Sequence, residues 1–235
     1  MKMKKWKQFM LTFLSFFILG AAFKVMVLLE GFTEVRPVNA IPPVAGLAFG
    51  WIGALGCGLG NVAADLFGTL DSTSVLGFLA NFTAAFLPHR LWHLLSGEPP
   101  NLHKGKNILL YMALSLISAL TVAWLLAFGL QIFWGIWIKQ IYTYVFWNNA
   151  GFSICLGMPV FILLTSGTAA PACAPPPKSI LPYGAQRLKK PVLAVYLLFM
   201  LAFFACVLAG IGPNQAGSLT ILSGLAGAAL MYLLI

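Results

Sequence analysis

EVRPVNAIPPVAGLAFGWIGALGCGLGNVAADLFGTL, residues 34–70, sets rare polar side chains at both ends of a glycine-rich apolar run. Four of the five carboxylates of the chain, Glu30, Glu34, Asp65 and Asp71, fall within or beside this stretch, and none follows the fifth, Glu98. How the stretch crosses a bilayer decides the layout of everything after it.

A chain with 60% hydrophobic and 8% charged residues and a mean hydropathy of +0.93 has too little polar surface to cover a soluble core. It reads as an all-α polytopic membrane protein. The formal charge of +9 is dispersed between apolar spans, which suits loops facing anionic lipid and leaves no basic groove for nucleic acid. Cys57, Cys155, Cys173 and Cys206 show no Cys-x-x-Cys pair or Cys/His spacing suited to zinc.

The lysine-rich start and the apolar run from Phe9 to Leu29 read as a retained first helix. Further spans are expected at 75–95, 107–129, 146–165, 192–211 and 217–235, each near the ~20 residues a bilayer requires. If residues 38–70 cross once, Lys2, Lys4, Lys5, Lys7 and Lys139 share one side and the other nine basic residues lie opposite. If they enter and return as two short helices broken near Phe49-Gly50-Trp51, only Lys24, Arg36 and Lys139 lie outside. The positive-inside rule favours the second layout: eight segments, both termini cytoplasmic, with Lys24 snorkelling at the end of the first helix.

Gly46, Gly50, Gly53, Cys57, Gly60 and Ala64 form a small-residue seam that lets helices approach closely. Beside it, Asn61 and Asp65 are four apart and share a helical face, and Asn81 is a polar notch in the next helix. A carboxylate at the centre of a membrane helix costs about 2.5 to 3.5 kcal/mol, so Asp65 is either a ligand group or an anchor near the interface. Glu34, Arg36 and Asn39 belong to an outer loop stiffened by Pro37, Pro42 and Pro43, which is either a lid or a solvated ion pair. The aromatic segment 131–149 suits an interfacial belt, with Trp147 and Asn148 as candidates for stacking on and hydrogen-bonding a planar ligand.

His89, Arg90 and His93 gather at the end of the fourth segment without a carboxylate to complete a metal set, so a polar helix end is expected, with Arg90 on lipid phosphate. Residues 166–191 form a proline-rich cytoplasmic linker between a core, 1–165, and a C-terminal transmembrane hairpin, 192–235, turning at Gly212-Pro213-Asn214. No hydrolase, zinc-protease or phosphate-loop signature is present, so no enzymatic activity, metal or cofactor is expected. A passive channel lacks a repeated polar face.

The order of ILGAA (18–22), a proline-bearing loop, a short apolar helix, Phe49-Gly50, NVAADLF (61–67) and GFLANFTAAF (77–86) resembles the membrane substrate-binding component of energy-coupling-factor transporters, over about residues 9–165. The resemblance implies a six-helix bundle in a prokaryotic cytoplasmic membrane. It further implies an outward pocket roofed by the first outer loop, with uptake of a vitamin-like micronutrient or precursor driven by a separate transmembrane coupling protein and ATPase subunits. It carries over Asp65 and Asn81 as pocket positions. Trp51 stands where that family usually has proline, Gly20-Ala21-Ala22 replaces an Ala-x-x-x-Ala face, and residues 192–235 exceed six helices. The substrate-binding set expected on all these grounds is Glu34, Arg36, Asn39, Asn61, Asp65, Asn81, Trp147 and Asn148. The alternative is a non-transporting membrane sensor or scaffold whose extra hairpin and linker meet a signalling partner.

Overall fold

A computed structural model describes residues 3–29, 33–68, 70–166, 173–177 and 183–234. Glu30 and, in the proline-rich linker, residues 167–172 and 178–182 lie outside the described residues. The fold is helical apart from one two-stranded ribbon. Among the described residues, three helices are long and apolar enough to cross a membrane: Gly105–Trp134, Lys139–Ser166 and Lys189–Leu208. The chain divides into two compact units at Pro175/Pro176.

In the first unit, helix α1 (Lys5–Ala22) ends seven residues before the apolar run does. The expected single helix to Leu29 is therefore corrected: β1 (Val27–Leu29) turns back and pairs antiparallel with β2 (Thr33–Glu34). The backbone N–H of Val35 closes the ribbon on the Met26 carbonyl at 2.7 Å. Exit from the helix at this point lets Lys24 swing towards the third helix, a partner that lipid would not supply.

A 3-10 turn (Pro37–Ala40) leads into α2 (Ile41–Phe49), and α3 (Trp51–Asp65) follows after one residue. That residue is Gly50, with φ of 64°, a conformation costly to any residue carrying a Cβ. The break expected at Phe49-Gly50-Trp51 is thus where α2 stops and α3 starts back. Prolines 42 and 43 occupy the first turn of α2, where their missing N–H groups have no helical partner to lose.

Glycines set the helix spacing. A Cβ on Gly46 would run into the carbonyl of Ala85 in α4 (Ser74–Leu95), and one on Gly53 into the carbonyl of Ala45 in α2. Gly56 and Gly60 face Thr12, Phe13 and Phe16 of α1, while Gly20 faces Ala64 at 3.0 Å from its notional Cβ. The seam read from sequence therefore divides among neighbours: Gly46 packs towards α4, Gly53 towards α2, and Gly60 and Ala64 towards α1, where Gly56, outside that seam, joins them. Backbone approach of this kind substitutes dispersion contacts for the hydrophobic drive that lipid removes.

Pro88 lies inside α4 and brings no N–H to the carbonyl of Ala84, four residues earlier. The hydroxyl of Ser118, in α5 (Gly105–Trp134), donates to that carbonyl at 3.2 Å. α5 stops at left-handed Gly135, φ 69°, with the Ile136 N–H returning to the Leu130 carbonyl. α6 (Lys139–Phe152) and α7 (Met158–Ser166) run on through a π turn at Ser153–Gly157. This helix starts seven residues before the apolar run expected at 146. The core of the unit is built from Phe16, Leu47, Leu91, Trp92, Tyr111, Tyr142 and Phe161, all fully buried.

In the second unit, α8 (Tyr183–Gln186) and α9 (Lys189–Leu208) precede α10 (Pro213–Ala216) and α11 (Ser218–Leu234). The turn expected at Gly212-Pro213-Asn214 is this short helix: Gln215 accepts from the Gly212 N–H at 3.0 Å, and the Thr220 hydroxyl donates to the Pro213 carbonyl at 2.9 Å. Gly227 lets α11 approach Tyr196 of α9.

Candidate functional site

Five elements of the first unit finish or begin at one end of the bundle: α1, α3 and α5 end there, and α4 and α6 start there. Their polar termini and the loop 33–36 enclose a cavity of about 110 Å³. It brings together seven of the eight expected residues, Glu34, Arg36, Asn39, Asn61, Asp65, Asn81 and Asn148, with Lys24 and Asn149.

The charged groups close on themselves. Lys24 Nζ lies 2.8 Å from Asp65 Oδ1 and 3.4 Å from Glu34 Oε1. Asp65 Oδ2 accepts from Asn61 Nδ2 at 3.0 Å, and Asn61 Oδ1 accepts from the Arg36 guanidinium at 2.6 Å. Arg36 returns to Glu34 Oε2 at 3.7 Å. Two cations, two carboxylates and one amide thus form a ring. The Lys24, Glu34 and Asp65 side chains are about nine-tenths buried, where leaving any one charge without its mate is expensive.

Asn61 and Asp65 meet because four residues bring α3 side chains over one another. Glu34 and Arg36 are not the solvated surface pair considered above; they are held in the ring by Asn148. Its Nδ2 donates to the Glu34 carbonyl at 2.9 Å and its Oδ1 accepts from the Arg36 N–H at 3.2 Å. Asn148 thereby continues the ribbon as a backbone amide would, pinning the loop to α6.

Trp147 is corrected. Its side chain is 63% exposed and meets Phe146 edge-on, with centroids 4.9 Å apart, outside the cavity. The helical period explains this: Ile141, Val145, Asn148 and Asn149 occupy the cavity face of α6, and a residue at 147 is rotated about 100° from 148.

Asn39 and Asn81 sit differently from the ring. Asn81 donates to the Gly77 carbonyl one turn back at 2.9 Å, and Asn149 donates to Val145 in the same way. Asn39 is 3% exposed, and its side-chain amide has no hydrogen-bond partner among the described residues. Its carbonyl accepts from the Ser153 hydroxyl at 3.0 Å, and the Ser153 carbonyl accepts from Tyr111 at 3.1 Å. The π turn therefore seats the 3-10 turn; single π turns of this kind recur at functional sites. The remaining wall is aliphatic: Leu76, Ala80, Val122, Leu126, Leu130, Ile141 and Val145.

Sequence reasoning missed Lys24, which it placed at the lipid interface. A signal for Lys24 existed: between residues 8 and 89 it and Arg36 are the only two lysines or arginines, beside four carboxylates. Ser153 carried no signal, because a π turn leaves no mark in composition.

At the opposite end, the His89 and His93 rings meet edge-on at 5.0 Å, and the Arg90 guanidinium lies 4.8 Å over the Phe86 ring. His93 reaches the Ala174 carbonyl at 3.2 Å, and the Ala174 N–H donates to Leu47 at 3.3 Å. No group of three metal-ligating side chains occurs among the described residues. In the loop beyond, Glu98 accepts from Lys104 and Lys106 at 2.8 and 3.0 Å, and these hydrogen bonds hold its carboxyl down at about 2. Burial pushes the Cys173 thiol, which donates to the Pro100 carbonyl, up to about 11. Compared with models of known protein families, with curated proteins and with solved structures, the chain matches none.

Proposed function

We propose that this protein is the substrate-capture subunit of an uptake transporter of the energy-coupling-factor type, taking up a small vitamin-like micronutrient or precursor. One observation carries the reading: a partly open cavity under the 33–36 loop, walled by α4, α5 and α6 and lined by amides. A cavity with an aliphatic wall and a few convergent polar groups is the usual form of a small-molecule site. In this reading the first unit is a six-helix bundle in a prokaryotic cytoplasmic membrane, both termini are cytoplasmic and the cavity end faces outward. α9 and α11 form an added transmembrane hairpin. The sequence carries no phosphate-loop signature, and in this reading concentrative uptake draws on separate ATPase subunits through a transmembrane coupling protein.

The test is purification of the tagged protein from its own host in mild detergent, with mass spectrometry of co-purifying proteins and small molecules. ATPase subunits with a membrane coupling protein are expected. Their reproducible absence, with a signalling regulator in their place, would overturn the transport reading in favour of a membrane sensor.

A further inference from the structure

Resting on that capture reading, we propose that the cavity takes an uncharged, non-aromatic solute of about six heavy atoms that presents an N–H donor and a carbonyl acceptor side by side, as a small lactam does.

Charge comes first. The four buried charges of the cavity, Lys24, Glu34, Arg36 and Asp65, cancel within the ring and are bonded to one another. A singly charged solute would either break one of these pairs or remain uncompensated in a buried site, and both are costly. Asp71 adds no buried charge. It is exposed at the mouth, where its carboxylate accepts from the Thr73 N–H and hydroxyl at 2.7 and 2.6 Å.

The hydrogen-bonding groups left over are amides. Asn81 and Asn149 each use one N–H of Nδ2 on their own helices, which leaves Oδ1 as an acceptor for a solute N–H and the second Nδ2 N–H as a further donor. The Asn39 amide, buried in the lining without a side-chain partner among the described residues, supplies a donor for a solute carbonyl. An unfilled amide in such a place is costly to keep, and a complementary solute satisfies it.

Shape and size complete the description. Among the described residues no aromatic one lines the cavity, so none of them offers a π-face to stack on. An apolar cavity of ~150 Å³ holds benzene, and this one, at about 110 Å³, is smaller.

The experiment uses the full chain in lipid nanodiscs and three probes of similar size: γ-butyrolactam, pyrrolidinium and cyclobutanecarboxylate. Dissociation constants come from saturation-transfer difference NMR titrations. The lactam is expected to bind at least about tenfold more tightly than either ion. Asn39→Leu and Asn81→Leu are each expected to weaken it by about tenfold or more. Leu126→Trp, which fills the cavity from its aliphatic wall without touching the amides, is expected to abolish binding and covers the case in which an asparagine variant does not fold. An ion binding as tightly as the lactam, with sensitivity to Leu126→Trp, would overturn the charge class and leave capture standing. Lactam affinity unchanged in the folded variants, or no binding by any probe, would overturn the proposal outright. Capture itself is decided separately by the co-purification experiment.

Discussion

Lys24 and Asp65, forty-one residues apart, meet at 2.8 Å where α1 and α3 finish together. The contact ties the one cation of the first apolar run to the one carboxylate of the short returning pair. Both side chains are about nine-tenths buried, so each single neutralisation unbalances the charges of the ring. Lys24→Met or Asp65→Leu is expected to cost about 3 to 5 kcal/mol. The double variant is expected to recover much of that loss, and thermal unfolding in detergent would read the cycle. A double variant as unstable as the sum of the singles would show that the pair is not coupled.

Gly46 is expected to tolerate no side chain. Its notional Cβ meets the backbone carbonyl of Ala85, which cannot rotate away, so Gly46→Ala should cost about 1 to 3 kcal/mol or more. Gly105, exposed with nothing near its notional Cβ, is the control: its change to alanine should stay within about 0.5 kcal/mol. Equal melting temperatures for the two variants would refute the close α2–α4 approach.

Ser118 stands in for the N–H that Pro88 lacks. Ser118→Ala leaves the buried Ala84 carbonyl without its donor, at an expected cost of about 1 to 3 kcal/mol. Pro88→Ala returns an N–H at that position, so the loss on removing Ser118 should be smaller in that background. Identical losses in both backgrounds would sink the explanation.

Glu98 is expected to titrate near 2, below its ordinary value of 4.5, because Lys104 and Lys106 bond its charged form. A depressed folded-state value means that the contribution of these contacts is present above the unfolded value and is lost as pH falls from about 4.5 through about 2. Lys104→Ala with Lys106→Ala should return the titration towards 4.5. NMR of a carboxyl-labelled glutamate would follow it directly, and a midpoint unmoved by the double change would exclude the lysines as the cause.

The break at Gly50, the glycine seam and the shared face of Asn61 and Asp65 were legible in the sequence because each depends on local geometry: a positive φ, a missing Cβ, a spacing of four. The gathering of Glu34, Arg36, Asn39 and Asn81 was legible for a different reason, since polar groups beside apolar spans converge on one another when lipid offers no partners. Three things were not legible. Where α1 ends depends on Asp65, which lies far along the chain. Trp147 looked like a ligand contact from its composition, but one step of helical rotation turned it outward. Ser153 acquired its part only through a π turn, a choice of hydrogen-bond register that no residue pattern announced.

Every member of the charged ring lies between residues 24 and 65, whereas the aliphatic wall and three of the four lining asparagines outside the ring lie between 76 and 149. During synthesis, the ionised groups therefore all emerge before the helices that will enclose them. A nascent chain that has just completed α3 already holds each charge of the ring and its countercharge, so these groups can enter the bilayer already paired. The later helices then have only to be apolar and to close around them.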